Sequence, residues 1–144
     1  MTTARIEEEL VGKTVGLVAG RGDYPLEFCR AARAGGVARI AVVAVHGETD
    51  AEIEGLADST DWVHVGQLRK TIKSLKARGA GATVFAGQIK PSRLFLGMRP
   101  DLKALKLLWR LRGRDRHAHS IFAAIADEFE SCGVRVLPAV TFMG

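Results

Sequence analysis

Short apolar runs rich in β-branched residues recur along the chain, at residues 14–19, 39–45, 62–65 and 83–86, with a fifth at 134–137. Runs of that length bounded by glycine or charge predict strands. The intervening segments change period. Residues 26–34 read as a helix, residues 52–57 as a short one, and residues 68–77 place Leu68, Ile72 and Leu75 at helical spacing with Arg69, Lys70, Lys73 and Lys76 outside. In "RPDLKALKLLWRLR", Pro100 precedes Asp101, a helix N-cap, and an amphipathic helix over residues 102–111 follows. Residues 120–130 form another, closed by Gly133. Strands alternating with helices predict an α/β fold: an open, mainly parallel sheet of about five strands with helices on both faces. No internal repeat or low-complexity linker interrupts it.

Open parallel sheets bind ligands outside the carboxyl ends of their strands. The loops expected there are "AGRGDYP", "HGETD", "GQLRK" and "AGQIKPSR", each with a glycine at or just past the strand end. Glycine lets a backbone approach a ligand closely, although it also ends strands wherever a loop has to turn. The first loop resembles a dinucleotide-binding turn, but Pro25 stands where the third glycine of that fingerprint would be. Pro25 suits the first turn of a helix instead. The matching "AG" turns at Ala19-Gly20 and Ala86-Gly87 point to one shared phosphate or nucleotide crevice. Gln67, Arg69, Gln88, Lys90 and Arg93 add donors along the same edge. Asp23 would repel a phosphate, so it reads as a helix N-cap, a contact to a ribose hydroxyl, or a metal ligand.

With 144 residues, 47% of them hydrophobic, the chain has the size of one domain. Its 21 Lys and Arg against 16 Asp and Glu give a net charge of +5, which favours anionic partners without choosing among them. Cys29 and Cys132 lie far apart and form no C-x-x-C pair, so reduced thiols of a cytoplasmic protein are expected. "MTTARIEEELVGK" lacks the apolar run of a signal peptide, and no window approaches a membrane span. Any membrane contact is expected to be peripheral.

Familiar hydrolase motifs, a Walker A loop and an EF-hand are absent. On a helix, His117 and His119 would point roughly 200° apart, a poor arrangement for one metal. His46 and His64 end strands and read as packing or loop residues. Asp115, Asp127 and Glu128 span two helical patterns and define no carboxylate pair. The helix over residues 102–111 is more informative: Leu102, Leu105, Leu108 and Trp109 make an apolar stripe, with Lys103, Lys106 and Arg110 on another face. Such a helix suits a lipid or membrane face, or a core contact with a solvated basic side. No helix-turn-helix, RNA-binding or zinc-finger signature accompanies it, so no nucleic-acid partner is expected.

The segments "LVAGRGDYPLEFCRAARAGG", "GQLRKTIKSLKARGA", "FAGQIKPSRL", "RPDLKALKLL" and "IADEFESCGVRVL" together resemble, in order and spacing, the N-terminal domain of the LpxI-type UDP-2,3-diacylglucosamine pyrophosphatases of lipid A synthesis. The resemblance implies a Rossmann-like domain over residues 13–138, with residues 1–12 an N-terminal extension and residues 139–144 a tail or the start of a linker. It also implies a cytoplasmic, membrane-peripheral enzyme that uses Mg²⁺ to hydrolyse UDP-2,3-diacylglucosamine to UMP and 2,3-diacylglucosamine 1-phosphate. In that family the essential carboxylate belongs to a C-terminal domain, so this chain is expected to be a substrate-binding half, inactive alone, that meets its catalytic domain in cis or in trans. No catalytic residue is assigned to it. Where the family often has G-D-D, this chain has His117, Ala118 and His119. The ligand contacts expected are Gly20, Arg21, Gly22 and Asp23, with Gln67 and with Gly87, Gln88 and Lys90 opposite. Backbone N–H groups at the helix after Gly22 would hold the phosphates, with Lys90 and Arg21 offsetting charge. Two other readings stay open: a non-catalytic interaction or homo-oligomerisation domain, and a basic binder of anionic surfaces or nucleic acid.

Overall fold

In the computed structural model, residues 2–88, 101–110 and 118–144 are described. In chain order they form α1 (Thr3–Leu10), β1 (Thr14–Ala19), α2 (Tyr24–Ala34), β2 (Arg39–Val45), a 3₁₀ turn (Ala51–Gly55), β3 (Ser59–Val63), α3 (Leu68–Ala77), β4 (Ala82–Ala86), α4 (Leu102–Arg110), α5 (Ala118–Ser131) and β5 (Arg135–Val136). Lys90, Arg93, Pro100, Asp115 and His117 lie outside the described residues, as do the side chains of Leu108, Arg110 and His119.

The five strands make one open sheet in the order β3-β2-β1-β4-β5, every pairing parallel. Side chains alternate across it, and the two faces bury separate cores. Val15, Leu17, Ile40, Val42 and Val84 pack on one face with Phe28, Cys29 and Ala32 of α2 and Ile53 of the 3₁₀ turn. Ala41, Val43 and Val63 pack on the other with Ile72 and Leu75 of α3 and Phe129 of α5. The expected α/β sheet with helices on both faces is the observed one.

β3 begins at Ser59 rather than at residue 62. As an edge strand it is only half-buried over most of its length, so Ser59, Thr60 and Asp61 are tolerated in the ladder and blur the apolar signal. The short helix expected over residues 52–57 is a single 3₁₀ turn, whose Glu52 N–H donates to the Asp50 carboxylate at 2.9 Å.

Both ends of the chain pack on the first core. Residues 1–12, expected as an extension, contain α1, whose Ile6 and Leu10 are buried beside Val15 and Leu137. Residues 139–144, expected as a tail or linker, are also tied down. The Tyr24 hydroxyl donates to the Ala139 carbonyl at 2.7 Å, and the Phe142 N–H donates to Glu7 Oε2 at 2.7 Å. The Phe142 ring meets Phe28 edge-on at 6.3 Å.

Asp58 joins α2 to the sheet. Its Oδ2 accepts from Ile40 N–H at 2.7 Å and from Arg33 Nη2 at 3.0 Å. Burial alone would raise this carboxyl, but the Ile40 and Arg33 hydrogen bonds, with the charges of Arg33 and Arg39, hold it below the usual carboxylate range. A carboxyl depressed on folding stabilises the fold above its unfolded value, about 3.9, and that contribution is lost as pH falls through the folded value. Asp58→Asn should therefore lower the urea midpoint at pH 7, with a gap to wild type that narrows below about pH 4. An equal gap at pH 7 and pH 3 would show that the charge contributes nothing.

Candidate functional site

In this strand order the winding reverses between β1 and β4, and their carboxyl ends carry the two "AG" turns. Ligand crevices of open sheets form at such a point. Here the turns are locked to each other. The Gly20 N–H donates to the Ala86 carbonyl at 2.7 Å, the Arg21 N–H to the Gln88 carbonyl at 2.6 Å, and the Gln88 N–H to the Arg21 carbonyl at 3.3 Å. A Cβ at Gly20 would lie 2.6 Å from the Gln88 oxygen, and one at Gly87 would lie 2.7 Å from the Arg21 oxygen. Mutual backbone approach thus accounts for both glycines, and three N–H groups that looked available to a ligand serve the sheet.

Beyond this closure the chain opens. Gly22 has φ +93° with nothing within 4 Å of a Cβ built on it, and α2 starts two residues later with Pro25 in its first turn. Asp23 occupies the N-cap position and its carbonyl accepts from Glu27 N–H at 2.9 Å, yet its side chain makes no capping bond. Side-chain capping, one of the three roles expected for this carboxylate, is therefore not taken. The N–H groups of Tyr24 and Leu26 open α2 just past the carboxyl end of β1, at the positive end of an eleven-residue helix whose Pro25 contributes none.

The loop after β2 contributes residues that sequence reasoning passed over. Glu48 is fully buried at the side chain, with Oε2 3.7 Å from Nη1 of the partly exposed Arg21. Thr49 Oγ1 donates to the Ala19 carbonyl at 2.7 Å and accepts from Val45 N–H at 2.8 Å, which ties the ends of β1 and β2 together. The available signal was an acid and a hydroxyl just past a strand end, in "HGETD". Arg21 is thus paired, just past the end of β1, with a buried carboxylate.

Gln67 and the "GQLRK" loop serve the fold. Gln67 Oε1 accepts from His64 N–H at 2.8 Å, closing the turn between β3 and α3. The N-terminus of α3 is filled by Asp101, whose Oδ2 accepts from Arg69 N–H at 2.6 Å and from Lys70 N–H at 3.3 Å. Asp101 Oδ1 accepts from Ala104 N–H at 3.0 Å, so one carboxylate caps α3 and α4 together. Of the α4 stripe, Leu102, Leu105 and Trp109 point outward, while Ala104 and Leu107 are buried. Glu128 lies 2.5 Å from Lys103 Nζ; that hydrogen bond raises the ammonium above its usual range, against a smaller opposing effect of burial.

The remaining candidates gather no chemistry. The His46 ring stacks on Trp62 at 5.5 Å and lies 4.5 Å from the His64 ring, which agrees with a packing reading. Cys29 and Cys132 are both free thiols, and burial pushes Cys29 up to about 11, an unreactive state at neutral pH. Among the described residues, no three His, Cys, Asp or Glu side chains stand close enough to hold a metal ion, and no helix is long and apolar enough to cross a membrane.

Comparison with known proteins agrees with this architecture. The family model described as the LpxI N-terminal domain matches residues 14–144. The chain is 30% identical over 134 residues to the UDP-2,3-diacylglucosamine pyrophosphatase LpxI of Caulobacter vibrioides, covering 92% of this chain and 46% of that protein. It therefore spans about half the length of the curated relative it matches. With its match running from β1 to the last described residue, the chain belongs to the LpxI family, as a copy of that family's N-terminal domain.

Proposed function

We propose that this chain is the substrate-binding domain of a lipid A pyrophosphatase. It takes the UDP end of UDP-2,3-diacylglucosamine, while a C-terminal domain, in cis or in trans, hydrolyses the anhydride to UMP and 2,3-diacylglucosamine 1-phosphate. The supporting observation is the open N-terminus of α2 at the point where the sheet's winding reverses. There Gly22 carries the backbone clear of the strand ends, and the helix offers N–H donors to a phosphate. Arg21, held by Glu48, adds a cation beside them. Asp23, whose side chain makes no capping bond, would accept from a ribose hydroxyl. Gln88 borders the crevice from the β4 side, and Leu102, Leu105 and Trp109 offer an outward apolar surface suited to acyl chains. The setting is the cytoplasmic face of a membrane, where such a substrate lies.

Mg²⁺ is expected with the family, but the described residues assemble no ligand set for it. The chemistry assigned to this chain is accordingly to bind and orient the nucleotide. Amide NMR during titration with UMP should show shifts gathered at Gly20 to Asp23 and at Gly87 and Gln88. Gly22→Val has room for its side chain but strains a backbone at φ +93°, at a cost of roughly 1–3 kcal/mol. It should stay folded and lose the UMP shifts. A folded Gly22→Val variant that binds UMP like wild type would remove this reading.

A further inference from the structure

On α3, Arg69, Lys73 and Lys76 recur at i, i+4 and i+7, a spacing that sets them in one stripe. All three are exposed, and the stripe faces α4 across a groove of about 490 Å³ whose wall also includes Lys103. Arg69 and Lys103 also line a second groove, of about 690 Å³, with Leu102, Lys106, Trp109 and Glu128. Lys103 is paired with Glu128, but among the described residues Arg69, Lys73, Lys76 and Lys106 have no acidic partner. Among the described residues, four basic side chains outside any ion pair thus share a face that holds one acid, Glu128, already paired with Lys103, in a chain whose net charge is +5. Directly beside them Leu102, Leu105 and Trp109 are 60%, 49% and 67% exposed.

We propose that the α3–α4 face docks on the surface of an anionic phospholipid bilayer, its cations on the lipid phosphates and Leu102, Leu105 and Trp109 among the glycerol and upper acyl groups. The two kinds of side chain decide the partner together. Nucleic acid would use the cations and leave two leucines without a role. A second copy would bring two positive faces into contact. A bilayer interface takes both, because basic residues meet acidic headgroups while apolar and indole side chains enter just below them. The sequence showed the apolar stripe of α4 and the basic side of α3 separately; the fold sets them side by side. The inference adds a partner to the proposed function and rests on it only for the expectation that work is done at a membrane.

The test is co-sedimentation of the chain with vesicles of phosphatidylcholine alone and of phosphatidylcholine mixed with phosphatidylglycerol, at low and high salt. Binding should require phosphatidylglycerol, weaken with salt, and fall about thirtyfold in the double variant Lys73→Gln/Lys76→Gln. Both positions are exposed and α3 keeps its cap, so thermal melts should match wild type. Trp109→Ala should also weaken binding, while Lys13→Gln/Arg39→Gln, at the amino ends of β1 and β2, should not. Equal binding to both vesicle types, an unaffected Lys73/Lys76 variant, or tighter binding to duplex DNA than to vesicles would overturn the proposal. A chain that binds vesicles but shows no UMP shifts would retain this inference and remove the nucleotide reading.

Discussion

Gly87→Ala should lower the unfolding free energy by roughly 3–5 kcal/mol, a large share of the roughly 5–15 kcal/mol that a domain possesses. Two costs combine at this position. Its φ of +92° is one that an L side chain seldom adopts, and the new Cβ would stand 2.7 Å from the Arg21 carbonyl oxygen and 2.8 Å from the Gly20 carbonyl carbon. Both obstacles are backbone atoms, so no rotamer change relieves them. Gly20→Ala meets a similar obstacle, the Gln88 carbonyl oxygen at 2.6 Å, without a positive φ. Its cost should be lower, at roughly 2–3 kcal/mol. Gly22→Ala makes the comparison informative, because it shares the positive φ and has open space. Chemical denaturation of the three variants should rank them Gly87, Gly20, Gly22, with the first the least stable. Equal losses at Gly87 and Gly22 would mean that backbone strain alone matters and that the two strand ends do not press on each other.

Asp101→Ala should cost roughly 2–3 kcal/mol, more than one capping residue ordinarily contributes, because it uncaps two helices. Oδ2 serves the first turn of α3 and Oδ1 the first turn of α4, and a negative charge favours both helix N-termini at once. Asp101→Asn separates the parts. An amide has a single acceptor oxygen, so it can cap one helix and should recover about half of the loss. Hydrogen exchange should show the released helix, with protection lost in the first turn of α3 or of α4 but not of both. If Asn is as stable as Asp, the second cap is geometric coincidence. The same variant bears on function, since Asp101 sets α4 against α3 and α4 presents Leu102, Leu105 and Trp109. Asp101→Ala should therefore weaken vesicle binding as well, without altering any charge on the docking stripe.

These two residues show how differently a site can be legible. Asp101 after Pro100 reads as a cap for the helix that follows, and it is one. Nothing local announces its second role, because α3 begins more than thirty residues earlier, at Leu68. The glycines behave in the opposite way. Their presence at strand ends was plain, and the obvious explanation was a ligand; the structure supplies another, the mutual approach of two turns. Glu48 was hidden for a related reason. An acid in a loop is expected in water, and only the packed ends of β1 and β2 reveal that this one is buried under Arg21.

By itself the sequence determined what depends on neighbours along the chain. Short continuous apolar runs made strands, α3 followed its 3.6-residue period from Leu68 to Ala77, and among the described residues every positive φ except that of Phe142 was marked by glycine. Tertiary structure decided what depends on which segments meet. The order β3-β2-β1-β4-β5 was one of several that equally apolar strands allow, and burial is non-directional, so their composition does not name their partners. That order brings Gly20 to Gln88, Arg21 to Glu48, and the basic stripe of α3 to the apolar stripe of α4. Hydrogen bonds and charge pairs act over a few ångströms in space, whatever the distance along the chain, and the site is made of such pairs.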